Sequence, residues 1–361
     1  MMLTRSILFG VLAAGLAPAQ VVTPAQDVTP AQDRPFTIGV KVVTAPVLVT
    51  DRRGQNINGL QRSDFELSDN GKRQDIKVDI TYVPISLVVA IQANATAEPV
   101  LPKVRKIGPL FQGLVTGDQG EVAILGYDHR IQTLQDFTSD LGKIEEGLAK
   151  LRAGSRASRL NDTVVEAVRM LDTRPASRRR VLMIVGETRD VSSQAKVRET
   201  LTALQFANVN VYVVNINGVV NALLAKEDTS RPDPIPATAH AYPGGVAPLP
   251  DNARQLYGNP SNSVDFVPAF VDIFRATKSI FISNPAVVYA KYTGGDEHTF
   301  VSERDLESAI GAIGNELQEQ YLITYVPNNK DEGGFHQIAV TVDRPDVKIR
   351  TRPGYWIAAQ N

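Results

Sequence analysis

The spacing of apolar residues changes character twice along the chain, and each change marks a different kind of secondary structure. In residues 36–83, short stretches alternate between apolar and polar positions, as in Ile38–Val42 and Ala45–Thr50. Turns separate such stretches, including the hairpin-type sequence Asp69-Asn70-Gly71 between Asp64–Ser68 and Gln74–Val78. Alternation bounded by turns of this kind predicts antiparallel strands. A β unit of about 45 residues is marginal by itself, so we expect it to need partner strands from elsewhere in the chain.

From residue 84 to residue 319, apolar runs alternate with segments of helical spacing. The five predicted strands are Leu87–Gln92, Glu121–Tyr127, Arg180–Val185, Val209–Ile216 and Ala286–Tyr292. Apolar residues three and four positions apart predict helices at 141–151 and 197–204. A last helix opens at Ser302, with Asp305 at the spacing of a capping box. Strands that alternate with helices indicate an α/β fold with a mainly parallel sheet.

Strand-like alternation returns in residues 320–357. The predicted strands there are Tyr321–Tyr325, Gln337–Val342 and Val347–Thr351. They supply the partners that the N-terminal β unit needs. We therefore expect a small antiparallel β-sandwich built from both ends of the chain, with the α/β domain (residues 84–319) inserted into it.

The first 35 residues carry the features of an export signal and a spacer. Arg5 precedes an apolar core, Ile7–Leu16, and Ala17-Pro18-Ala19 matches a small-residue cleavage pattern. We expect a signal peptide at residues 1–19, cleaved near Ala19, and export to the periplasm or the cell exterior. The six residues of Val22–Asp27 are then repeated in tandem, which is typical of a Pro-rich linker at residues 20–35.

A long segment rich in Pro and Gly, Asp228–Ser263, interrupts the α/β pattern without any periodicity. It follows the strand Val209–Ile216, so it leaves the carboxyl end of the sheet. Two readings stay open: a partner-binding loop or lid that uses Tyr242 and Tyr257, or a disordered insertion.

Composition narrows the classes of partner. The chain has 38 basic and 39 acidic residues and a formal net charge of −1, which gives no electrostatic basis for binding nucleic acid. It has no cysteine, so disulfides, thiol catalysis and a lipid-anchored cysteine are excluded. The apolar core of the signal is too short for an ordinary membrane span, and no later segment is long enough.

Four fragments, together with the α/β pattern between them, resemble the secreted bacterial proteins related to the von Willebrand factor type A (VWFA) domain. They are Phe65–Gly71, Tyr292-Thr293-Gly294-Gly295, Glu316–Tyr325 and Arg352-Pro353-Gly354-Tyr355. The resemblance covers most of the mature chain and implies a VWA-like fold: a Rossmann-like, mainly parallel sheet flanked by helices, with β elements at its ends.

The resemblance also implies a place for a divalent cation, and this chain departs from the pattern there. Type A domains carry a D-x-S-x-S motif after the first strand, a Thr in a second loop and an Asp after the fourth strand. These positions fall on Gln92, Asn94, Thr96, Ser158 and Glu187. Only Glu187 is charged, and the affinity of hard cations rises with the number of carboxylates. We expect a degenerate site without a bound cofactor, with weak binding of Mg²⁺ or Ca²⁺ as the alternative.

No nucleophile with an evident base is found in the sequence, so we expect a protein that is not an enzyme. The first hypothesis is a non-catalytic, exported binding or scaffold protein of the cell envelope or exterior, whose partner is a protein or peptide. The candidate partner-binding residues are Gln92, Asn94, Thr96, Glu187, Tyr242 and Tyr257. The alternatives are a cation-dependent adhesion protein and an uncharacterised exported enzyme.

Overall fold

The computed structural model describes residues 42–79, 83–216, 284–300 and 302–357. The predicted signal peptide, the linker, most of Ile38–Val42 and the segment Asp228–Ser263 with Tyr242 and Tyr257 lie outside the described residues.

Fourteen strands and seven α-helices are described. The strands are β1 (Val43–Thr50), β2 (Phe65–Asp69), β3 (Lys72–Arg73), β4 (Ile76–Asp79), β5 (Ile85–Gln92), β6 (Glu121–Tyr127), β7 (Ile131–Thr138), β8 (Arg179–Gly186), β9 (Val209–Asn215), β10 (Glu297–Thr299), β11 (Tyr321–Tyr325), β12 (Gly334–Val342), β13 (Lys348–Thr351) and β14 (Gly354–Ile357). The helices are α1 (Leu101–Val104), α2 (Gly108–Leu110), α3 (Leu141–Ala149), α4 (Leu160–Asp172), α5 (Val197–Phe206), α6 (Pro285–Thr293) and α7 (Glu303–Glu319). Short 3₁₀ turns occupy Arg62–Asp64 and Lys330–Glu332, and a π-helical turn occupies Phe111–Thr116.

The α/β part is a six-stranded sheet with the order β10-β9-β8-β5-β6-β7. All neighbours in it are parallel except β6 and β7. Successive residues of β5 face opposite sides: Val89 packs with α1, α3 and α7, whereas Val88 and Ala90 pack with α4, α5 and α6. Burial on both faces explains why β5 reads as one uninterrupted apolar run. The predicted mixed α/β fold with a mainly parallel sheet is therefore confirmed.

The fifth predicted strand, Ala286–Tyr292, is wrong, because these residues form helix α6. The helix is buried on nearly all sides, and a short buried apolar run does not show which period it follows. Pro285 at its start was the signal for a helix. The helix ends at Gly294, which has a φ of +84°. Gly295 then passes so close to β9 that an added Cβ would lie 1.9 Å from the carbonyl oxygen of Val211.

Several elements of the α/β part were not predicted: the short elements α1, α2, β10 and the π-helical turn, and the longer elements β7 and α4. Strand β7 pairs antiparallel with β6 at the edge of the sheet, and most of its residues are only half-buried, so it lacks a clear apolar alternation. Helix α4 follows the loop that carries Ser158 and packs one face against β5 and β8. The predicted capping box at Ser302 is confirmed, since its Oγ accepts a hydrogen bond from the backbone N–H of Asp305.

Strands from the two ends of the chain pair in two antiparallel sheets of four strands each, β13-β1-β11-β4 and β14-β12-β2-β3. The pairings β1–β11 and β2–β12 join residues of the N-terminal and C-terminal segments. One core cluster contains buried residues of both sheets, including Val47, Leu67 and Ile323. The hairpin between β2 and β3 turns at Asn70 and Gly71, whose φ values of 49° and 76° match a two-residue turn of type I′.

A buried carboxylate, Asp69, connects these two antiparallel sheets. Its oxygens accept hydrogen bonds from Tyr325 Oη at 2.9 Å, Tyr355 Oη at 2.5 Å and Asn329 Nδ2 at 3.1 Å. His336 Nδ1 lies 2.6 Å from Asp69 Oδ1. Burial alone would raise the pKa of Asp69, but the hydrogen bonds from His336, Tyr355 and Asn329 lower it below its ordinary value. The ionised carboxylate is therefore the form that this core stabilises.

Candidate functional site

The predicted site lies where the central strands of the parallel sheet end. Residue Gln92 is the last residue of β5 and pairs in register with Tyr127 at the end of β6. Glu187 directly follows Gly186, the last residue of β8, which is the other neighbour of β5. In open α/β sheets this carboxyl edge is where ligands bind.

Gln92 and Glu187 form a direct two-point contact, which we call the Gln92–Glu187 clasp. The amide Nε2 of Gln92 donates to Glu187 Oε2 at 2.8 Å, and the backbone N–H of Glu187 donates to Gln92 Oε1 at 2.6 Å. Gly186 makes room for this contact, because an added Cβ would lie 2.7 Å from Gln92 Oε1 and 2.7 Å from Tyr127 Oη. The clasp therefore ties the ends of β5 and β8 together with groups of the chain itself.

The polar turn after β5 is stabilised by its own backbone. Asn94 is buried, and its Oδ1 accepts a hydrogen bond from the backbone N–H of Ala97 at 3.0 Å. The backbone N–H of Ala95 donates to the carbonyl of Ser155 at 3.0 Å, which joins this turn to the second loop. Thr96 lies half-buried within the turn. Asn94 thus caps the turn, and its side-chain oxygen is already engaged in a hydrogen bond with the backbone.

Ser158 is buried in the second loop, and the loop after β8 is attached to it through the backbone. Its carbonyl accepts from the backbone N–H groups of Val191 at 3.0 Å and Ser192 at 3.3 Å. Within the described ranges, Ser158 Oγ and the neighbouring edge group Tyr127 Oη are buried and make no hydrogen bond. Burial, and then the negative charge of Glu187, raises the pKa of Tyr127, so its phenol stays neutral.

The side-chain oxygens at these positions do not fit as ligands of the divalent cation that the resemblance implies. The oxygens of Gln92 and Asn94 already accept backbone hydrogen bonds, and an N–H of Gln92, not an oxygen, faces the carboxylate of Glu187. Mg²⁺ and Ca²⁺ need several oxygen ligands with carboxylates among them. In the part of the chain that the structure describes, no group of three or more His, Cys, Asp or Glu residues is placed to hold a metal.

Beside the clasp, Asp128 and His129 at the end of β6 meet Ser155, an arrangement that the sequence did not reveal. His129 Nδ1 lies 2.8 Å from Asp128 Oδ2 and 2.9 Å from Ser155 Oγ. In a nucleophilic triad the carboxylate and the hydroxyl contact opposite ring nitrogens, so that the ring passes a proton between them. Here both contact the same nitrogen, which is a geometry for holding the loop and not for activating Ser155.

Asp128 is the anchor of this second loop. Burial alone would raise its pKa, but hydrogen bonds from the backbone N–H groups of Arg130 and Ser155 and from His129 lower it. The loop packs tightly here, because a Cβ added at Gly154 would lie 1.9 Å from Asp128 Oδ2. The carboxylate is thus ionised, buried and fully occupied by the chain.

A cleft of about 260 Å³ opens next to the clasp, at the carboxyl ends of β5 and β6. Ala93, Tyr127 and Asp128 are among the residues that line it. Its cationic lining residues are Arg130, Lys150 and Arg152. Sequence reasoning missed the cleft because these cations come from two segments that only the unpredicted strand β7 brings together.

The structure thus brings Gln92 and Glu187 into contact and places Asn94 and Thr96 in the adjoining turn. Ser158 lies in the loop that contacts the segment after Glu187. Tyr242 and Tyr257 lie outside the described residues, so their role stays a prediction. Within the described ranges, no helix combines the length and apolarity needed to cross a membrane.

No protein-family model matches the chain, and no curated protein is similar to it. Several solved structures are weakly similar. An aerotolerance-related membrane protein from Bacteroides fragilis NCTC 9343 is 12% identical, with 64% of this chain and 99% of that chain covered and a TM-score of 0.39. BatB, a conserved hypothetical protein from Bacteroides thetaiotaomicron, is 11% identical over 65% and 98% of the two chains, with a TM-score of 0.38. Proximal thread matrix protein 1 from the mussel byssus is 8% identical over 68% and 49%, with a TM-score of 0.39. Likenesses this remote carry no argument about function.

Proposed function

We propose that the protein is a non-catalytic, exported binding protein with a VWA-like scaffold. It uses the carboxyl edge of its six-stranded sheet to recognise a protein or peptide, and recognition requires no metal ion. The observation that carries this proposal is the Gln92–Glu187 clasp.

The clasp supports a metal-free edge on electrostatic grounds. Glu187 is the one carboxylate among the five positions of the degenerate site, and its partner is the amide N–H of Gln92. A hydrogen bond from an uncharged donor to a carboxylate contributes favourably without any cation. The edge keeps its shape through backbone contacts of Asn94 and Ser155, so a partner meets a preformed surface.

The lack of a relay geometry at His129 supports the non-catalytic part of the proposal. The imidazole contacts both Asp128 and Ser155 through Nδ1. Its other nitrogen, Nε2, is therefore not the one that faces the hydroxyl of Ser155, as it would be in a nucleophilic triad. The edge offers hydrogen-bonding groups and charge for recognition rather than an activated nucleophile.

Metal independence is tested by thermal unfolding of the mature protein with a chelator and then with Mg²⁺, Ca²⁺ or Mn²⁺. A ligand at a hundred times its dissociation constant stabilises the native state by about 2.7 kcal/mol, which shifts the midpoint by about 5–10 °C in a domain of this size. We expect no shift with any of the three ions.

The binding edge is tested with peptides selected by display against the mature protein. Thr96→Trp places a bulky side chain at the carboxyl edge, and we expect it to weaken binding of the selected peptides. Gln119→Trp makes the same change at an exposed position near the amino end of β6 and serves as the control. Equal binding by both variants and the wild type would show that the carboxyl edge is not the recognition surface.

A second candidate is a cation-dependent adhesion protein. The buried hydroxyls of Ser158 and Tyr127, which lack partners in the described part of the chain, favour it, because an ion could recruit them. It requires a midpoint shift with one of the ions that Glu187→Ala abolishes. That result would replace the metal-free proposal.

A further inference from the structure

We infer that the cleft beside the Gln92–Glu187 clasp binds a carboxylate-rich segment of the partner protein, held by Arg130, Lys150 and Arg152. This inference rests on the proposed function and names the chemistry of the partner.

Among the residues that the structure describes, the positive charge of the cleft is only partly balanced. Lys150 Nζ donates to the carbonyl of Leu134 at 3.3 Å, and Arg152 Nη1 donates to the carbonyls of Ala149 and Leu151. Carbonyl oxygens orient these side chains without cancelling their charge. Arg130 has one carboxylate nearby, Asp128, at 3.9 Å from its Nε.

Asp128 does not balance the three cations. Its side chain is only 5% exposed and is already occupied by the backbone N–H groups of Arg130 and Ser155 and by His129. The cations themselves are exposed at the opening of the cleft. A fourth cation, the guanidinium of Arg105, donates to the carbonyl of Leu151 at 2.7 Å and adds to the positive potential. Clustered charge of one sign beside low-dielectric walls attracts ligands of the opposite sign.

The arrangement fits a peptide better than a free inorganic anion. Arg130 lies directly before β7, and Lys150 and Arg152 follow α3, so two separate segments bring the three cations to one cleft. A volume of about 260 Å³ is smaller than a typical small-molecule pocket and accommodates one or two side chains of a bound segment. Ala93, which lines the cleft, follows Gln92 directly, so a peptide lying along the sheet edge reaches the cleft.

The test uses a fluorescein-labelled peptide in which Glu alternates with Gly, and fluorescence anisotropy with the mature protein. The key variant is the triple charge reversal Arg130→Glu, Lys150→Glu and Arg152→Glu. We expect it to weaken binding at least about tenfold, because three exposed ion pairs are lost and replaced by repulsion. A peptide in which Lys replaces Glu should not bind the wild type.

The matched control is the triple reversal Arg53→Glu, Lys77→Glu and Lys348→Glu, which changes the net charge equally at exposed positions of the antiparallel sheets and their turns. It should bind the acidic peptide like the wild type. Circular dichroism melts establish that both triple variants are folded. Equal affinity of the wild type and the cleft variant, or equal loss in both variants, overturns the inference. Displacement of the peptide by an equal concentration of inorganic phosphate also overturns it, since the cleft would then be a site for free anions.

The inference and the proposed function fail differently. If display-selected peptides bind the carboxyl edge but are indifferent to the cleft reversal, the inference is wrong and the proposed function stands. If Thr96→Trp has no effect on any selected peptide, the proposed function itself is wrong.

Discussion

Removing the carboxylate of Asp69 is the most informative perturbation of the antiparallel sheets. Asp69 is fully buried and receives hydrogen bonds from Tyr325, Tyr355 and Asn329, with His336 close by. The substitution Asp69→Ala leaves all of these groups in the core without their shared acceptor.

The expected loss of stability is large. A hydrogen bond to a charged group contributes about 1.5–3 kcal/mol, and each buried donor left without an acceptor costs about 1–3 kcal/mol. These terms do not add, and deleting one member of a buried charged network typically costs about 3–5 kcal/mol. Arg352 adds to the loss: burial lowers its pKa to about 10, and the charge of Asp69 is among those that support its ionised form. We expect about 3–5 kcal/mol, a large share of the roughly 5–15 kcal/mol that stabilises a typical protein.

The assay is urea unfolding followed by two signals. Trp356 is the single tryptophan of the chain and lies in β14, so its fluorescence reports on the antiparallel sheets. Far-ultraviolet circular dichroism reports on the whole fold. The control is Asp75→Ala, which removes an exposed carboxylate that pairs with Arg62 at 2.6 Å. Exposed pairs of this kind contribute little, so the control should unfold like the wild type.

The reasoning is refuted if Asp69→Ala and Asp75→Ala unfold at the same urea concentration as the wild type.

The dependence on pH gives a second criterion. The folded-state pKa of Asp69 lies below the ordinary value of 3.8. Its contribution to the free energy of unfolding is therefore complete above the ordinary pKa. The contribution disappears as the pH falls through the folded-state pKa. Asp69→Asn should therefore lose less stability than the wild type between about pH 5 and pH 2.

The remaining predictions concern a tight backbone contact and the Gln92–Glu187 clasp. Gly295→Ala should destabilise the protein by more than about 2 kcal/mol, because the added Cβ would collide with the carbonyl of Val211. The control Gly113→Ala has open space around the added Cβ and should have little effect in the same urea titration. The double substitution Gln92→Asp with Asn94→Ser replaces the clasp amide by a carboxylate and should produce a thermal midpoint shift with Mg²⁺ that the wild type lacks; an unchanged melt would show that more than these two side chains prevents metal binding.

The parts of the fold that sequence predicts well are those whose burial pattern is simple. β5 is buried on both faces and β11 alternates strictly, and both were predicted at or within two residues of their bounds. Helix α6 was predicted as a strand because burial on nearly all sides hides the helical period. β7 was missed because an edge strand that is half-buried carries no strong pattern.

The candidate site was predictable in position but not in its contacts. The end of β5 and the residue after β8 were identified from the resemblance, and the structure brings Gln92 and Glu187 together. Their two-point contact depends on the exact separation of two strand ends and on Gly186, which no local pattern reveals. The cationic cleft depends on the pairing of β6 with β7, so Arg130 and Lys150 could not be connected before that pairing was known.

The pairing of the two chain ends sets the order in which this protein can be completed. The hydrogen bond between Tyr325 and Asp69 joins residues that are 256 positions apart. At the usual rate of synthesis, about 5–20 residues per second, β2 exists for roughly 10–50 s before its partners in the opposite sheet have been made. During that interval the N-terminal strands present open edges, which are the usual starting points of aggregation. A chain that stops before β11 therefore also leaves its N-terminal strands unpaired, because β1 and β4 lose the strand that lies between them.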